Sequence, residues 1–366
     1  MNKSNELNKS NELNESNEMN ASNGMYNPTG NIRRLRLSPP SHPTQPQPAQ
    51  PLRSSFVKIQ GIQIEDTFAE AFDMTATRVI ITAAEPAWAA RAGEAMTGFA
   101  TSVIGCVVEA GVECELAPDQ TPDGRPGVSV LMFSTSGDKL EEQLVRRVGQ
   151  CVLTCPSTSV FAGLKSSKKI ALGSRIRYFG DGNQISKRIG QARYWRIPVM
   201  DGEFVCEDTA YRTSAVGGGN FLVLAETIHG ALHACDAAVA AIRKIPECIA
   251  PFPGGVARSG SKVGSKYPAL RASTNDAFCP TLRDSPRLAQ QATSVPDGVG
   301  AVLELVIDGL SADGVGQAMR AGILAVCQVG ESLGVRAITG GNYGGKLGRH
   351  HFHLHKLLAD FHDLQS

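Results

Sequence analysis

From Phe56 onward the chain alternates between short apolar, β-branched runs and longer segments whose apolar positions recur every three or four residues. The run RVIITA (78–83) reads as a strand, and the alanine-rich stretch 86–96 after it reads as a helix. Residues 128–133 form a second apolar strand. It leads to Leu140, Leu144, Val148 and Val152, spaced by four as on one helical face. The same two units come again: 221–225 with a helix reaching Ala241, then 302–307 with a helix from Asp313 to Cys327.

The recurrence keeps fixed registers. Glu65-Asp66-Thr67 returns as Glu207-Asp208-Thr209, an offset of 142, and the same offset lays Arg78 over Asn220 and Ala89, Ala92 and Ala95 over Ala231, Ala234 and Ala237. The second units match at an offset of 175, with Val128 over Leu303, Ser136 over Ser311 and Asp138 over Asp313. The difference between 175 and 142 leaves 33 additional residues in the second copy, all within 251–300. A long loop rich in Ser, Lys, Thr, Asn and Asp inside a compact domain is more often functional than idle. Two strand–helix units per copy predict an α+β fold of two duplicated ferredoxin-like (βαββαβ) lobes, each an antiparallel four-stranded sheet with helices on one face. A doubly wound parallel sheet is the alternative. The expected boundaries are an N-terminal lobe over 55–164, a connecting segment over 165–200, a C-terminal lobe over 201–358 and a tail over 359–366.

Residues 2–25 repeat a polar hexamer (NKSNEL, NKSNEL, NESNEM, NASNGM), and 38–51 are proline-rich. Neither has a period that packs, so 1–54 is expected to be a disordered low-complexity extension. With 36 Lys+Arg against 35 Asp+Glu, no bulk field favours nucleic acid or a membrane surface. No apolar stretch approaches the roughly 20 residues of a transmembrane helix. The nine cysteines are scattered without a C-x-x-C pair. Small thiols in a reducing cytoplasm fit that better than a disulfide framework or a zinc ribbon.

Glu304 is the carboxylate that stands out, because both alternating faces of its strand are otherwise apolar. Desolvation there raises a carboxyl's pKa and suits it to proton transfer; an open sheet face with an arginine partner is the competing explanation. Its counterpart at the 175 offset is Ser129, so the ionisable group belongs to one copy only. The glycine-rich segment 340–348 (GGNYGGKLG) fits neither a P-loop nor a dinucleotide fingerprint, and a hairpin or a close backbone–ligand approach is expected instead. His351, His353 and His355 are spaced to share one face of a strand, which could present a metal or simply stack. Arg125, in the turn TPDGRPG (121–127), is either solvated or a carboxylate binder.

Read in order, IEDTFAEAF (64–72), TPDGRPGV (121–128), FGDG (179–182), APFPGG (250–255), SKVGSK (261–266), ASTNDAFCPT (272–281) and GGNYGGKLG (340–348) resemble the formylmethanofuran:tetrahydromethanopterin formyltransferase family over residues 56–358. The resemblance implies two ferredoxin-like lobes, a cytoplasmic homotetramer and formyl transfer between the amine of a methanofuran-type carrier and N5 of tetrahydromethanopterin. Both carriers are cosubstrates, and no bound cofactor or metal is implied. The family's catalytic glutamate falls on Glu304. Asn275 and the amides around Asn342 are the implied oxyanion donors. Arg125, Lys262, Lys266 and Lys346 are the implied contacts to the carriers' acidic tails, and Asp276 and Tyr343 complete the expected carrier-binding set. The balanced charge resembles the form used by bacteria that oxidise formaldehyde, where the chain would be a subunit of a formyltransferase/hydrolase complex and formyl would pass from pterin to furan carrier. A non-catalytic scaffold subunit and a histidine-based metal hydrolase are the competing functions.

Overall fold

The computed structural model describes residues 56–258, 260–285 and 293–359. The expected extension 1–54, and residues 360–366 of the expected tail, lie outside the described residues. In the first half the strands are β1 (Phe56–Ile59), β2 (Ile62–Glu65), β3 (Phe68–Thr82), β4 (Glu109–Leu116), β5 (Gly127–Ser134) and β6 (Ser159–Ala162), with helices α1 (Pro86–Thr97) and α2 (Gly137–Arg147). β7 (Lys168–Ala171), β8 (Ile185–Ile189), β9 (Ala192–Val199) and β10 (Gly202–Glu207) follow. The second half holds β11 (Thr209–Ala225), α3 (Ile228–Ile242), β12 (Cys248–Ile249), β13 (Ser261–Val263), β14 (Ala272–Thr274), β15 (Ala301–Gly309), α4 (Ala312–Gly330), β16 (Val335–Thr339) and β17 (His350–His353).

The residues shared by the two copies have local reasons. Ser136 and Ser311 cap α2 and α4, accepting from Lys139 N (3.5 Å) and Gly314 N (3.1 Å), and Asp138 and Asp313 occupy the first turns. A hydroxyl satisfies one orphan amide there, and a carboxylate suits the positive end of the helix dipole. Alternation then does the packing. Phe221, Val223, Leu303, Leu305 and Ile307 turn toward Ala231, Ala234 and Ala238 of α3 and Val315, Met319 and Ile323 of α4. Val79, Ile81, Val128 and Val130 do the same with Ala89, Ala92 and Met96 of α1 and Leu140 and Leu144 of α2.

The pairing is equivalent in both halves. β4-β5-β3-β6 run side by side antiparallel, as do β12-β15-β11-β16. Ile80 faces Ser129 across β3/β5, and Leu222 faces Glu304 across β11/β15. Those are the same positions under the two sequence offsets.

The expectation of two lobes with separate sheets needs correction, because the hydrogen bonding continues from one half into the other in a single mixed sheet. β3 and β11 outrun their four-stranded neighbourhoods and pair with each other, Phe72 to Ala76 against Thr213 to Gly217. An unpaired strand edge leaves backbone donors and acceptors open, and the extended strands close it. Past that join, β11 bulges between Val216 and Gly219, with Gly218 at φ +89°. A side chain at Gly217 would meet Met74, and one at Gly219 would meet Val315. The 165–200 segment is likewise more than a connector. β7 pairs with β11, while β8 and β9 extend the sheet beyond β10. The expected lobe boundary is also crossed. β2 pairs in parallel with β16, and β17 pairs with the start of β3.

Candidate active site

Even-numbered residues of β15 face away from the helices. On that face Glu304 Oε1 accepts a hydrogen bond from Asn220 Nδ2 at 2.7 Å, and Asn220 Oδ1 accepts from the amide of Gly341 at 3.1 Å. Asn220, itself buried, therefore links the carboxyl to the glycine-rich loop. Burial pushes the Glu304 carboxyl above its ordinary pKa, and the Asn220 bond only partly opposes this. The side chain is not sealed off. It borders a small pocket with Leu222, Ala257, Asn275, Phe278 and Cys279, so the proton can leave or arrive.

Much of that pocket comes from the insertion. Ala257 pairs with the backbone of Glu304 in both directions, N–H to O at 2.8 and 2.9 Å. Phe278, Val295 and Val299 cover Leu222, Leu224 and Ala337 on the same sheet face. Described residues of the segment 251–300, where one copy has 33 residues that the other lacks, thus roof the strand carrying Glu304.

The equivalent place in the first half carries different chemistry. Arg78 stands where Asn220 does and binds Glu113 through Nε at 2.8 Å and Nη2 at 2.7 Å, while Ser129 Oγ donates to the same carboxylate at 2.7 Å. A guanidinium fork grips a carboxylate through two charge-assisted hydrogen bonds. A neutral amide beside Glu304 does not. Arginine was the competing partner for Glu304, and it sits in the other copy.

The loop 340–348 is not an open nest for a ligand. Its amides of Tyr343 and Gly345 donate to Glu70 Oε2 at 2.8 Å each, and those of Leu347 and Gly348 donate to Glu70 Oε1 at 2.5 and 2.6 Å. Burial pushes the Glu70 carboxyl up, but these four donors outweigh it and hold it below the usual range. Gly344 N turns to Asn342 Oδ1 (3.1 Å) and Gly340 N to Thr67 Oγ1 (2.8 Å). The amides beside Asn342 expected to serve as oxyanion donors are thus occupied, since a buried carboxylate claims backbone donors first. Tyr343 packs on Phe72 with ring centroids 5.9 Å apart. Burial, followed by the charges of Glu304, Glu70 and Glu109, raises its phenol, so it carries a donatable proton next to the site.

Among the other expected residues, Asn275 shares the Glu304 pocket. Asn342 and Lys346 are exposed on the loop, and Lys266 is exposed on the insertion. Lys262 is bound by both oxygens of Asp276 at 2.7 Å, so these two neutralise each other, and the Asp276 carboxyl is held low by that bond. Arg125 is not brought to Glu304. It pairs with Asp123 within the 121–127 turn (2.8 Å) and ties that turn to Ser157 O (2.6 Å), Thr82 (3.0 Å) and Ser159 (2.7 Å) in the first half. The shared histidine face also needs correction. β17 stops at His353 and His355 lies in a short helix after it, because the strand's partner β3 begins at Phe68. His351 and His353 instead lie 5.1 and 5.3 Å from the Phe68 ring. Sequence reasoning missed Asn220 and Glu70. The 142 offset had already set Asn220 against Arg78, which was the available signal for the first.

A family model described as formylmethanofuran-tetrahydromethanopterin formyltransferase matches residues 57–199, and a model of its proximal lobe matches 202–357. The formylmethanofuran–tetrahydromethanopterin formyltransferase of Methylococcus capsulatus is 59% identical over 301 residues, covering 82% of this chain and 99% of the relative. The chain belongs to this family. Two solved structures are similar to it over most of its length. One is the formyltransferase/hydrolase complex from Methylorubrum extorquens in complex with methylofuran, at TM-score 0.80 and 52% identity, covering 83% of this chain and 99% of that one. The other is the formyltransferase from Methanosarcina barkeri, at TM-score 0.77 and 44% identity, covering 82% and 100%. The expected relationship to the formyltransferase family, made on seven motifs, is thereby established. No helix among the described residues is long and apolar enough to cross a membrane.

Proposed function

We propose that this formyltransferase moves a formyl group between N5 of tetrahydromethanopterin and the amine of a methanofuran-type carrier, with Glu304 as the proton shuttle. The observation that carries this reading is a carboxyl of raised pKa, partnered by a neutral amide and open to a pocket. The acceptor amine attacks the formyl carbon, the carbonyl becomes an oxyanion, and the new C–N bond forms. Glu304 takes the proton shed by the attacking nitrogen and returns it to the departing nitrogen as the old C–N bond breaks. A carboxyl raised above its ordinary pKa can both accept and return a proton. The Asn275 amide borders the Glu304 pocket, and the Tyr343 phenol feels the Glu304 charge; these are the donors that would meet the oxyanion.

Lys266 and Lys346, exposed on the insertion and the loop, would meet the carriers' acidic tails as point charges. Lys262 would do so only by leaving Asp276. The two halves, with equal strand order and register, support a duplication of ferredoxin-like lobes fused through β3 and β11. The chain would work in the cytoplasm as a homotetramer or as part of a formyltransferase/hydrolase complex, with flux from pterin to furan carrier. The test is a formyl-transfer assay of the purified chain and of Glu304→Gln. The variant should lose turnover about a hundredfold or more, within the usual range of general acid–base catalysis, and retain carrier binding. Wild-type turnover in that variant would remove Glu304 from the chemistry.

A further inference from the structure

The first half contributes a buried carboxylate, Glu70, that the reaction as written does not use. Glu70 is 1% exposed, lies on β3 and is gripped by the four loop amides already described. Its own amide also donates to Gly341 O at 3.1 Å, so main chain and side chain bind the same loop. The loop has little slack in this shape. Gly344 and Gly345 sit at φ +81° and +71°, a Cβ at Gly348 would lie 2.8 Å from Glu70 Cγ, and one at Gly341 would collide with the Asn220 amide. Gly341 is the residue that donates to Asn220, and Asn220 is the partner of Glu304.

We propose that Glu70 is a positioning residue for formyl transfer: it fixes the loop 340–348 so that Gly341 orients Asn220 and Tyr343 stays beside Glu304. This rests on the assignment of Glu304 as the proton shuttle. A carboxylate offers two acceptor oxygens to four converging N–H groups. A glutamine would give one oxygen and turn an NH2 toward two of the donors. Leaving buried donors unpaired weakens the loop's hold without removing any apolar contact from a core. Once released, the loop no longer orients Asn220, and Glu304 loses the hydrogen bond that favours its charged form.

The experiment compares the full chain with Glu70→Gln, Glu304→Gln and the double variant, measuring formyl transfer against pH alongside thermal unfolding. Glu70→Gln should lower kcat about tenfold or more. The apparent pKa of its carboxyl limb should move up, as the Asn220 bond to Glu304 is weakened, and the loss should largely vanish in the Glu304→Gln background. A wild-type rate and pH profile in Glu70→Gln, with Glu304→Gln impaired, overturns the positioning role alone. So does an unchanged pH profile with a loss of equal size in both backgrounds. A wild-type rate in Glu304→Gln is a different failure, that of the underlying site. Should Glu70→Gln not fold, Gly341→Ala presses on Asn220 from the loop side with Glu70 intact, and it must reproduce the lower rate and higher apparent pKa for the role to stand.

Discussion

Asn220 and Glu304 lie on neighbouring strands, and a 2.7 Å bond joins them where the first half of this formyltransferase has Arg78 and Ser129. The first half meets the same need with Arg78 and Glu113, a structural ion pair. The second half instead sets a neutral amide, where Arg78 stood, beside an acid that takes the place of Ser129. Asn220→Ala should therefore raise the Glu304 pKa further, because the bond it removes favours the charged form. The carboxyl limb of kcat should move to higher pH, and kcat at neutral pH should fall several-fold. An unmoved limb in a pH–rate profile would count against the pair.

A pair of acids ties the halves together. Asp308 on β15 is fully buried beside Glu109 on β4, accepts from Gly218 N at 2.9 Å, and is raised well above its usual range by burial and then by Glu109. Glu109 is raised too, chiefly by burial. A carboxyl whose folded pKa exceeds its unfolded pKa stabilises the fold fully below the unfolded value, about pH 4. That stabilisation is lost as pH rises through the folded value. Asp308→Asn should make the unfolding free energy less sensitive to pH above about 4. Urea titrations at several pH values decide this, and parallel curves for variant and parent would refute it.

Arg125 spends its donors on Ser157, Thr82, Ser159 and Asp123. Arg125→Ala should lower stability by about 2 kcal/mol, in line with losing hydrogen bonds to a charged group, and leave KM for both carriers unchanged. Denaturant melts with steady-state kinetics check it. A raised KM with an unchanged melt would restore the carrier-binding role.

The caps give a graded pair. Ser311→Ala should cost about 1 kcal/mol, and Ser136→Ala less, since its bond is 3.5 Å against 3.1 Å. The two serines cap helices in different halves and share no partner, so the double variant should lose close to the sum in chemical denaturation. A larger loss for Ser136→Ala would contradict the geometry.

Repetition in the sequence was enough to find the strand–helix units, their offsets and the unmatched insertion, because periodicity is local. It was also enough to single out Glu304, since an acid among apolar strand residues is visible without coordinates. What it could not supply depends on which distant residues meet. Strand alternation says that Glu70 is an acid in an apolar run (68–72), but only folding brings the loop 340–348 around it. Alternation likewise gives no length for β3 and β11, and it is their extra residues that fuse two expected sheets into one. Lys262 and Arg125 read as free cations in one dimension and as spent ones in three. Charge and hydrogen-bonding capacity are written in the chain. Whether they remain available is settled by the partners that tertiary structure provides.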